Sequence, residues 1–322
     1  MVQPLFFRKK KMPVYITKDT PEKERLVRKA FSFWRPSIDV EKIIFLPGGS
    51  NSIVVRAGDF VCRFPQTETA FMAMRREAVV TEILKQNFPL FSETTEVSVV
   101  EQTEDDFPEF SCHRYIPGRI IDNRRGETEF NMPYNHLTAR QKKRLAERTA
   151  AFLAGLHSIP TELFQDLPPL SNEQNWDFTG RVNVRLSREL LLKATNGRVD
   201  LKEFETECSQ NAVFCHNDLS GSNLLVDLNK KDVLAGVIDF GDAGVFTQTN
   251  EFIPLYKIGR DFVCQTVEEY NKISPIPVDM REIDYKFLCF IGFFLEQQKK
   301  PSFFTTALIQ DFVQSLSYTH LM

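Results

Sequence analysis

Three residues in the second half of the chain have the types and spacing needed to handle a phosphoryl group. The stretch HNDLSGSN, His216 to Asn223, reads H-x-D-x-x-x-x-N, and VIDFGD follows with Asp239 directly after an apolar run. A loop of that length can aim Asp218 and Asn223 into one space. Asp218 would take the proton of an incoming hydroxyl, and Asn223 would hold a metal ion. Asp239 would be the main metal ligand, bridging Mg²⁺ to phosphate oxygens, because Mg²⁺ prefers few protein ligands plus phosphate. Each residue alone also suits a turn or a cap, where Asp and Asn are favoured in any case. The combination and the hairpin-sized gap between the two segments are what point to chemistry.

Phosphoryl transfer depends on positioning and on stabilising charge, so the other parts should be present too. PGGSN supplies Gly48, Gly49, Ser50 and Asn51 between two strand-like runs. Its backbone N–H groups could approach phosphate oxygens, although Gly-Gly is first of all a hairpin turn. Arg63 ends the next run, in VCRFP, and Glu77 lies in the helix-like stretch after it. A strand cation paired with a helical carboxylate is how kinases hold the α- and β-phosphates. A surface Arg and an unpaired surface Glu would look the same, and Glu82 competes with Glu77 for the role. His216 and His157 invite a metal or acid–base reading, with Cys215 beside the first. Neither has a second ligand at metal spacing in the sequence, so His216 is expected to brace the loop and His157 to pack at a helix end.

These side chains need a frame. EKIIFLPGGSNSIVVRAGDFVCRFP contains three short apolar runs punctuated by Gly48-Gly49 and Gly58-Asp59, which predicts an antiparallel meander. TETAFMAMRREAVVTEILKQ has helical spacing, and strands are expected around Val97 to Gln102 and Phe110 to Ile116. After Gly118 the texture turns helical. LTARQKKRLAERTAAFLAGLHSIP is an amphipathic helix that Thr138 can cap and Pro160 ends. NLLVD and VLAGVIDF read as a small hairpin joined by LNKKD. The fold class is therefore α+β, with a small antiparallel β-sheet lobe of residues 1–112, a hinge at 113–118 and a larger mainly helical lobe of 119–322.

Composition excludes other classes. The chain has 322 residues with 42% hydrophobic and 26% charged, which is globular rather than disordered. A net charge of -3 gives no reason to expect nucleic acid as a partner. The longest apolar run, Phe287 to Leu295, is too short to span a bilayer and predicts a buried helix. PLFFRKKKM at the start lacks an apolar segment behind its basic run, so it is not read as a secretory signal. The six cysteines show no C-x-x-C spacing and are expected as single thiols in a reducing cytoplasm.

HNDLSGSN, VIDFGDAG, VCRFP and AAFLAGLHSIP together resemble the aminoglycoside phosphotransferase family, from about residue 43 to 260. The pattern is most similar to the 2''-phosphotransferase branch. The resemblance implies the protein-kinase-like two-lobe fold, Asp218 as catalytic base, and Asn223 and Asp239 as metal ligands. It also implies a nucleotide, ATP or GTP, bound at the hinge around Tyr115 and Ile116. Arg63 departs from the family's frequent Lys; it keeps the charge and can bind phosphate bidentately. Aminoglycosides are polycations and call for an acidic pocket. Ser220, Asp242, Glu251, Asp261, Glu268 and Glu269 are the candidate acceptor contacts, although a solvated helix face explains the acidic residues equally well.

A protein kinase shares H-x-D and DFG. Here Ser220 stands where such enzymes carry Lys, no A-P-E segment follows, and about eighty residues remain after Gly241. A kinase of another small molecule, of choline, homoserine, sugar or macrolide type, would show nearly the same loop. A nucleotide-binding protein without catalysis has no use for Asp218. The sequence thus predicts an Mg²⁺-dependent phosphotransferase acting on a small-molecule hydroxyl.

Overall fold

The structure is a computed structural model that describes residues 22–46, 51–101, 108–123, 126–168, 178–231, 233–297 and 303–319. Gly48, Gly49, Ser50 and the basic segment at the start lie outside these residues. The described parts of Met1–Glu82 and Thr95–Tyr115 form one compact unit, and those of Ile83–Thr94 and Ile116–Met322 form a second. No helix among the described residues is long and apolar enough to cross a membrane.

The first unit is built on a five-stranded sheet. β1 (Ile44–Phe45), β2 (Ser52–Ala57), β3 (Phe60–Pro65), β4 (Ser98–Val100) and β5 (Phe110–Arg114) lie in the order β1-β2-β3-β5-β4, with every neighbour antiparallel. β2 alternates half-buried and buried residues, as a strand with one covered face must. α1 (Lys23–Trp34) covers that face. It places Val27, Ala30 and Phe31 at helical spacing in a core with Val55, Phe64 and Phe110. Phe64 and Phe110 stack with ring centres 4.7 Å apart, and Phe31 packs 6.0 Å from Phe110. α2 (Glu68–Asn87) follows β3.

The cysteine expectation needs correction. β3 and β5 pair Cys62 directly with Cys112, and the two are joined as a disulfide with Cα atoms 4.1 Å apart. They are 50 residues apart in sequence, so only the strand register reveals the pair. Cys208, Cys215, Cys264 and Cys289 are single thiols.

The second unit is mainly helical. Its long elements are α3 (Ala139–His157), α4 (Val184–Ala194), α6 (Arg260–Ile273), α7 (Met280–Gln297) and α8 (Phe303–Thr319), with the single turn α5 (Leu201–Phe204) between α4 and α6. Thr138 caps α3 in a full capping box with Gln141. The Phe287 to Leu295 run lies in α7, which buries Phe287, Leu288, Phe290, Ile291 and Leu295. Two small sheets sit among these helices. β6 (Arg119–Ile121), β7 (Asn131–Met132), β9 (Leu224–Val226) and β10 (Leu234–Val237) form one, in the order β10-β9-β6-β7. β8 (Ala212–Cys215) and β11 (Gly244–Thr247) form the other. The β9–β10 hairpin is the one expected from sequence; the β8–β11 ladder is not.

Candidate active site

The ladders explain how Asp218, Asn223 and Asp239 come together. Residues 216–223 run from the end of β8 to the start of β9, and residues 238–243 run from the end of β10 to the start of β11. β8 pairs with β11 and β9 with β10. The two connections are therefore pinned side by side at both ends. Cross-links join them between the pins. Ile238 N donates to Asn223 O at 3.1 Å, and Asn217 Nδ2 donates to Asp242 O at 3.2 Å. His216 Nε2 lies 2.9 Å from Ile238 O, while Asp218 N donates to His216 Nδ1 at 3.3 Å. The second contact makes Nδ1 the acceptor, so Nε2 carries the proton and donates. His216 is fully buried and bonded to both segments.

Two backbone positions in these connections take left-handed angles that ordinary residues avoid. Asn217 has φ 66° and Asp239 has φ 71°. Such angles cost energy and cluster where a side chain must be aimed. Gly221 answers a different need. A Cβ built there would sit 1.9 Å from Ile121 O, so only glycine lets β6 approach the loop.

Asp218 is half-buried, and both of its carboxylate oxygens have partners. Asn223 Nδ2 donates to Oδ2 at 3.1 Å and to the Asp218 backbone O at 2.8 Å. Lys257 Nζ donates to Oδ1 at 3.2 Å. With its amide nitrogen committed to Asp218, Asn223 has its carbonyl oxygen to offer a cation. One amide oxygen and the Asp239 carboxylate are hard oxygen donors, a set that fits Mg²⁺ completed by phosphate and water.

Glu251 was a candidate acceptor contact, and the structure corrects this. It is fully buried; its Oε2 accepts from His216 N at 2.5 Å and its Oε1 from Asn217 N at 3.3 Å. It holds the loop backbone and cannot reach an acceptor. Behind it, the buried Lys286 ammonium donates to Thr249 Oγ1 at 2.9 Å and Asn250 Oδ1 at 3.0 Å, which fixes the segment that carries Glu251. Ser220 is corrected in the same way: it is buried, with its hydroxyl 2.8 Å from that of Ser222.

His157 also has neighbours that sequence spacing did not show. Its imidazole, Cys215 and Glu251 offer ligand atoms within 4.8 Å of one another. The Glu251 carboxylate is already committed to two N–H groups, and burial followed by Glu251 pushes the Cys215 thiol well up, which keeps it protonated. Those facts favour a brace over a metal site. His157 Nδ1 meets the Tyr270 hydroxyl at 2.8 Å and so ties α3 to α6.

Of the remaining acceptor candidates, Asp242 is half-buried and Asp261 is exposed on the first turn of α6. Glu268 and Glu269 both bind Lys272, at 2.9 and 2.8 Å. In the first unit, Arg63 forms an ion pair with Glu77, which is 2% exposed, whereas Glu82 is exposed. Asn51 is exposed, and its carbonyl accepts from Gln66 N at 2.9 Å. Tyr115 N donates to Asp59 O at 2.8 Å, so this N–H is committed within the unit rather than offered to a nucleotide base. The Arg56 guanidinium covers the Tyr115 ring at 3.7 Å. Ile116 packs at Gly236, where a Cβ would lie 2.9 Å from its Cδ1.

The family model described as "Phosphotransferase enzyme family" matches residues 43–276, well over half of the chain. The chain belongs to the phosphotransferase enzyme family. Solved structures share its protein-kinase-like fold. The GDP and kanamycin complex of APH(2")-IIIa aligns with a TM-score of 0.64 at 19% identity, covering 91% of this chain and 98% of that one. The streptomycin–ATP–APH(2")-IIa ternary complex gives 0.55 at 21%, covering 84% and 89%. Macrolide 2'-phosphotransferase type I gives 0.57 at 14%, covering 92% and 98%. Against this background Lys257 and Glu251 are the site residues whose roles the sequence did not reveal.

Proposed function

We propose that this phosphotransferase moves the γ-phosphate of ATP or GTP to a hydroxyl of an aminoglycoside-like small molecule. The observation that carries this reading is the Asp218 carboxylate, oriented by Asn223 on a loop tied alongside Asp239. The acceptor oxygen attacks the γ-phosphorus while its proton passes to Asp218. The bond to the β,γ-bridging oxygen breaks, and its electron pair leaves with the nucleoside diphosphate. Asn223 and Asp239 would hold Mg²⁺, which when bound neutralises charge on the phosphates. Arg63, fixed by Glu77, is the first unit's contribution to donor binding, with the Gly48-Gly49-Ser50-Asn51 turn beside it in sequence. Residues 113–118, with Ile116 among them, are the assigned hinge.

One observation favours a second, less cationic acceptor of macrolide or sugar type. The acidic set for a polycation is thin: Glu251 is buried, and Glu268 and Glu269 share Lys272.

The test is direct. The purified protein is incubated with MgATP or MgGTP and kanamycin, gentamicin, streptomycin or a macrolide, and products are weighed by mass spectrometry. A phosphorylated aminoglycoside is expected, and Asp218→Asn should cut its rate about 10²–10⁴-fold, the usual worth of a positioned base. A phosphorylated macrolide alone would select the second reading. No phosphorylated product, or turnover that survives Asp218→Asn, would overturn the assignment of the base.

A further inference from the structure

Resting on that reading, we propose that Lys257 is a catalytic residue whose ammonium stabilises the transferring phosphoryl group, the duty that the catalytic loop itself leaves unfilled. None of the eight residues from His216 to Asn223 is Lys or Arg. Ser220, two places after Asp218, is buried against Ser222. A cation reaches the base instead from a different element, the short 3-10 turn Pro254–Lys257.

Position is the first argument. Lys257 Nζ lies 3.2 Å from Asp218 Oδ1. A general base works within about 2.6–3.2 Å of the oxygen it deprotonates. That oxygen attacks phosphorus directly, so a cation held on the base lies beside the oxygens of the group in flight. Transferring phosphoryl groups carry their charge on those oxygens, and preorganised charge aimed there is usually the largest single contribution to catalysis.

Preorganisation is the second. The residues on either side of Lys257 are buried and held. Tyr256 stacks on Phe287 with ring centres 3.8 Å apart, and its hydroxyl is bonded to Asp284. Ile258 O accepts from Asn123 Nδ2 at 2.9 Å, and Ile258 packs where a Cβ on Gly221 would come within 3.0 Å of it. The backbone that carries Lys257 is therefore held, through Ile258, next to Gly221 in the loop that carries Asp218.

Third, orienting the base does not require Lys257. Asn223 already binds both the carboxylate and the backbone carbonyl of Asp218. An ion pair whose side chains stay partly open to water adds little to stability. A role in the transition state accounts for its placement. In the transfer step the Lys257 ammonium neither gains nor loses a proton. It follows the negative charge from the Asp218 side onto the phosphoryl oxygens as the new P–O bond forms and the bond to the diphosphate breaks.

The test uses nucleotide probes, so it needs no knowledge of the acceptor. Binding of Mg·GDP and Mg·ADP is measured by calorimetry with and without fluoroaluminate, which mimics the planar phosphoryl group. Wild type should bind the better diphosphate at least about tenfold tighter with fluoroaluminate, a conservative share of the 10²–10³-fold worth of one transition-state donor. Lys257→Met should lose most of that gain while binding the diphosphate alone within about threefold of wild type. Lys257→Arg should recover part of it. In an Asp218→Asn background, Lys257→Met should still remove the gain. If Lys257→Met keeps the gain, Lys257 does not serve the phosphoryl group; if its effect vanishes once Asp218 is Asn, it acts only through the base; either outcome overturns the inference. If Lys257→Met does not fold, as judged by melting, Lys257→Gln and Lys257→Arg carry the same comparison. Wild type that binds a diphosphate without any fluoroaluminate gain sinks the Lys257 role alone. Wild type that binds neither diphosphate sinks the phosphotransferase reading with it.

Discussion

Two residues in and behind the catalytic loop show how narrow its tolerances are. Gly221→Ala places a methyl 1.9 Å from the backbone O of Ile121, and a backbone oxygen cannot swing aside. Overpacking of this kind costs about 1–3 kcal/mol, and a shift of about 1 Å in the loop costs about 10²-fold in rate. Urea denaturation and a turnover assay on Gly221→Ala should show both losses together. Glu251→Gln tests the brace rather than the chemistry. The carboxylate accepts two backbone N–H groups, and an amide can replace only one of those acceptors. The expected loss is about 1.5–3 kcal/mol, the worth of one hydrogen bond to a charged group. If Glu251 contacted the acceptor instead, Glu251→Gln would raise KM for the acceptor and leave the urea midpoint unchanged.

At the scale of elements, α3 offers the simplest prediction. Thr138→Ala removes the oxygen that accepts from Gln141 N and one of the two donors to the Gln141 side chain, leaving the Thr138 N–H. A lost N-cap costs about 1 kcal/mol, visible as a lower urea midpoint with an unchanged slope. The turn α5 gives a charge prediction with a definite sign. The Arg188 side chain holds Asp200 down to about 2 from its ordinary 3.8. Its contribution is therefore complete above about pH 5 and is lost as pH falls through about 2. Because both side chains are only partly buried and water screens the charges, Asp200→Asn should cost less than about 1 kcal/mol at pH 7 and only a small part of that at pH 2, while keeping the cap on Lys202 N. A loss as large at pH 2 as at pH 7 would assign the effect to something other than charge. The capping signal of α3 was readable because it lies within four residues of sequence. So was the β9–β10 hairpin, joined by a short polar turn. The β8–β11 ladder was not, because it pairs Cys215 with Gly244 across a stretch that contains another hairpin. The same limit hid two parts of the site. Glu251 reaches back 35 residues to His216, and Lys257 reaches back 39 to Asp218. In sequence both look like members of a mildly charged helical surface. Asp218, Asn223 and Asp239 were legible because their spacing is local, and Arg63 with Glu77 because strand then helix is a short-range pattern.

For the molecule as a whole, the two compact units carry different kinds of group. The first holds a buried Arg63–Glu77 pair, the second the loop with Asp218, Asn223 and Lys257. If the first unit's task is donor binding and the second's includes the chemistry, the two should separate in a thermal experiment. A ligand that binds only the folded chain stabilises it by about 2.7 kcal/mol at one hundred times its Kd. MgATP or MgGTP at that level should raise the melting temperature of wild type. Asp218→Asn should keep the whole shift, since a base contributes to transfer and little to holding the donor. Arg63→Met should lose most of it, measured against its own melting point without nucleotide, because removing Arg63 also leaves the buried Glu77 carboxylate without its cation and lowers the baseline. Arg63→Lys should retain part of the shift, since it keeps the charge and gives up the bidentate fork. A full nucleotide shift in Arg63→Met would remove Arg63 from donor binding and leave the pair as a structural brace of the first unit.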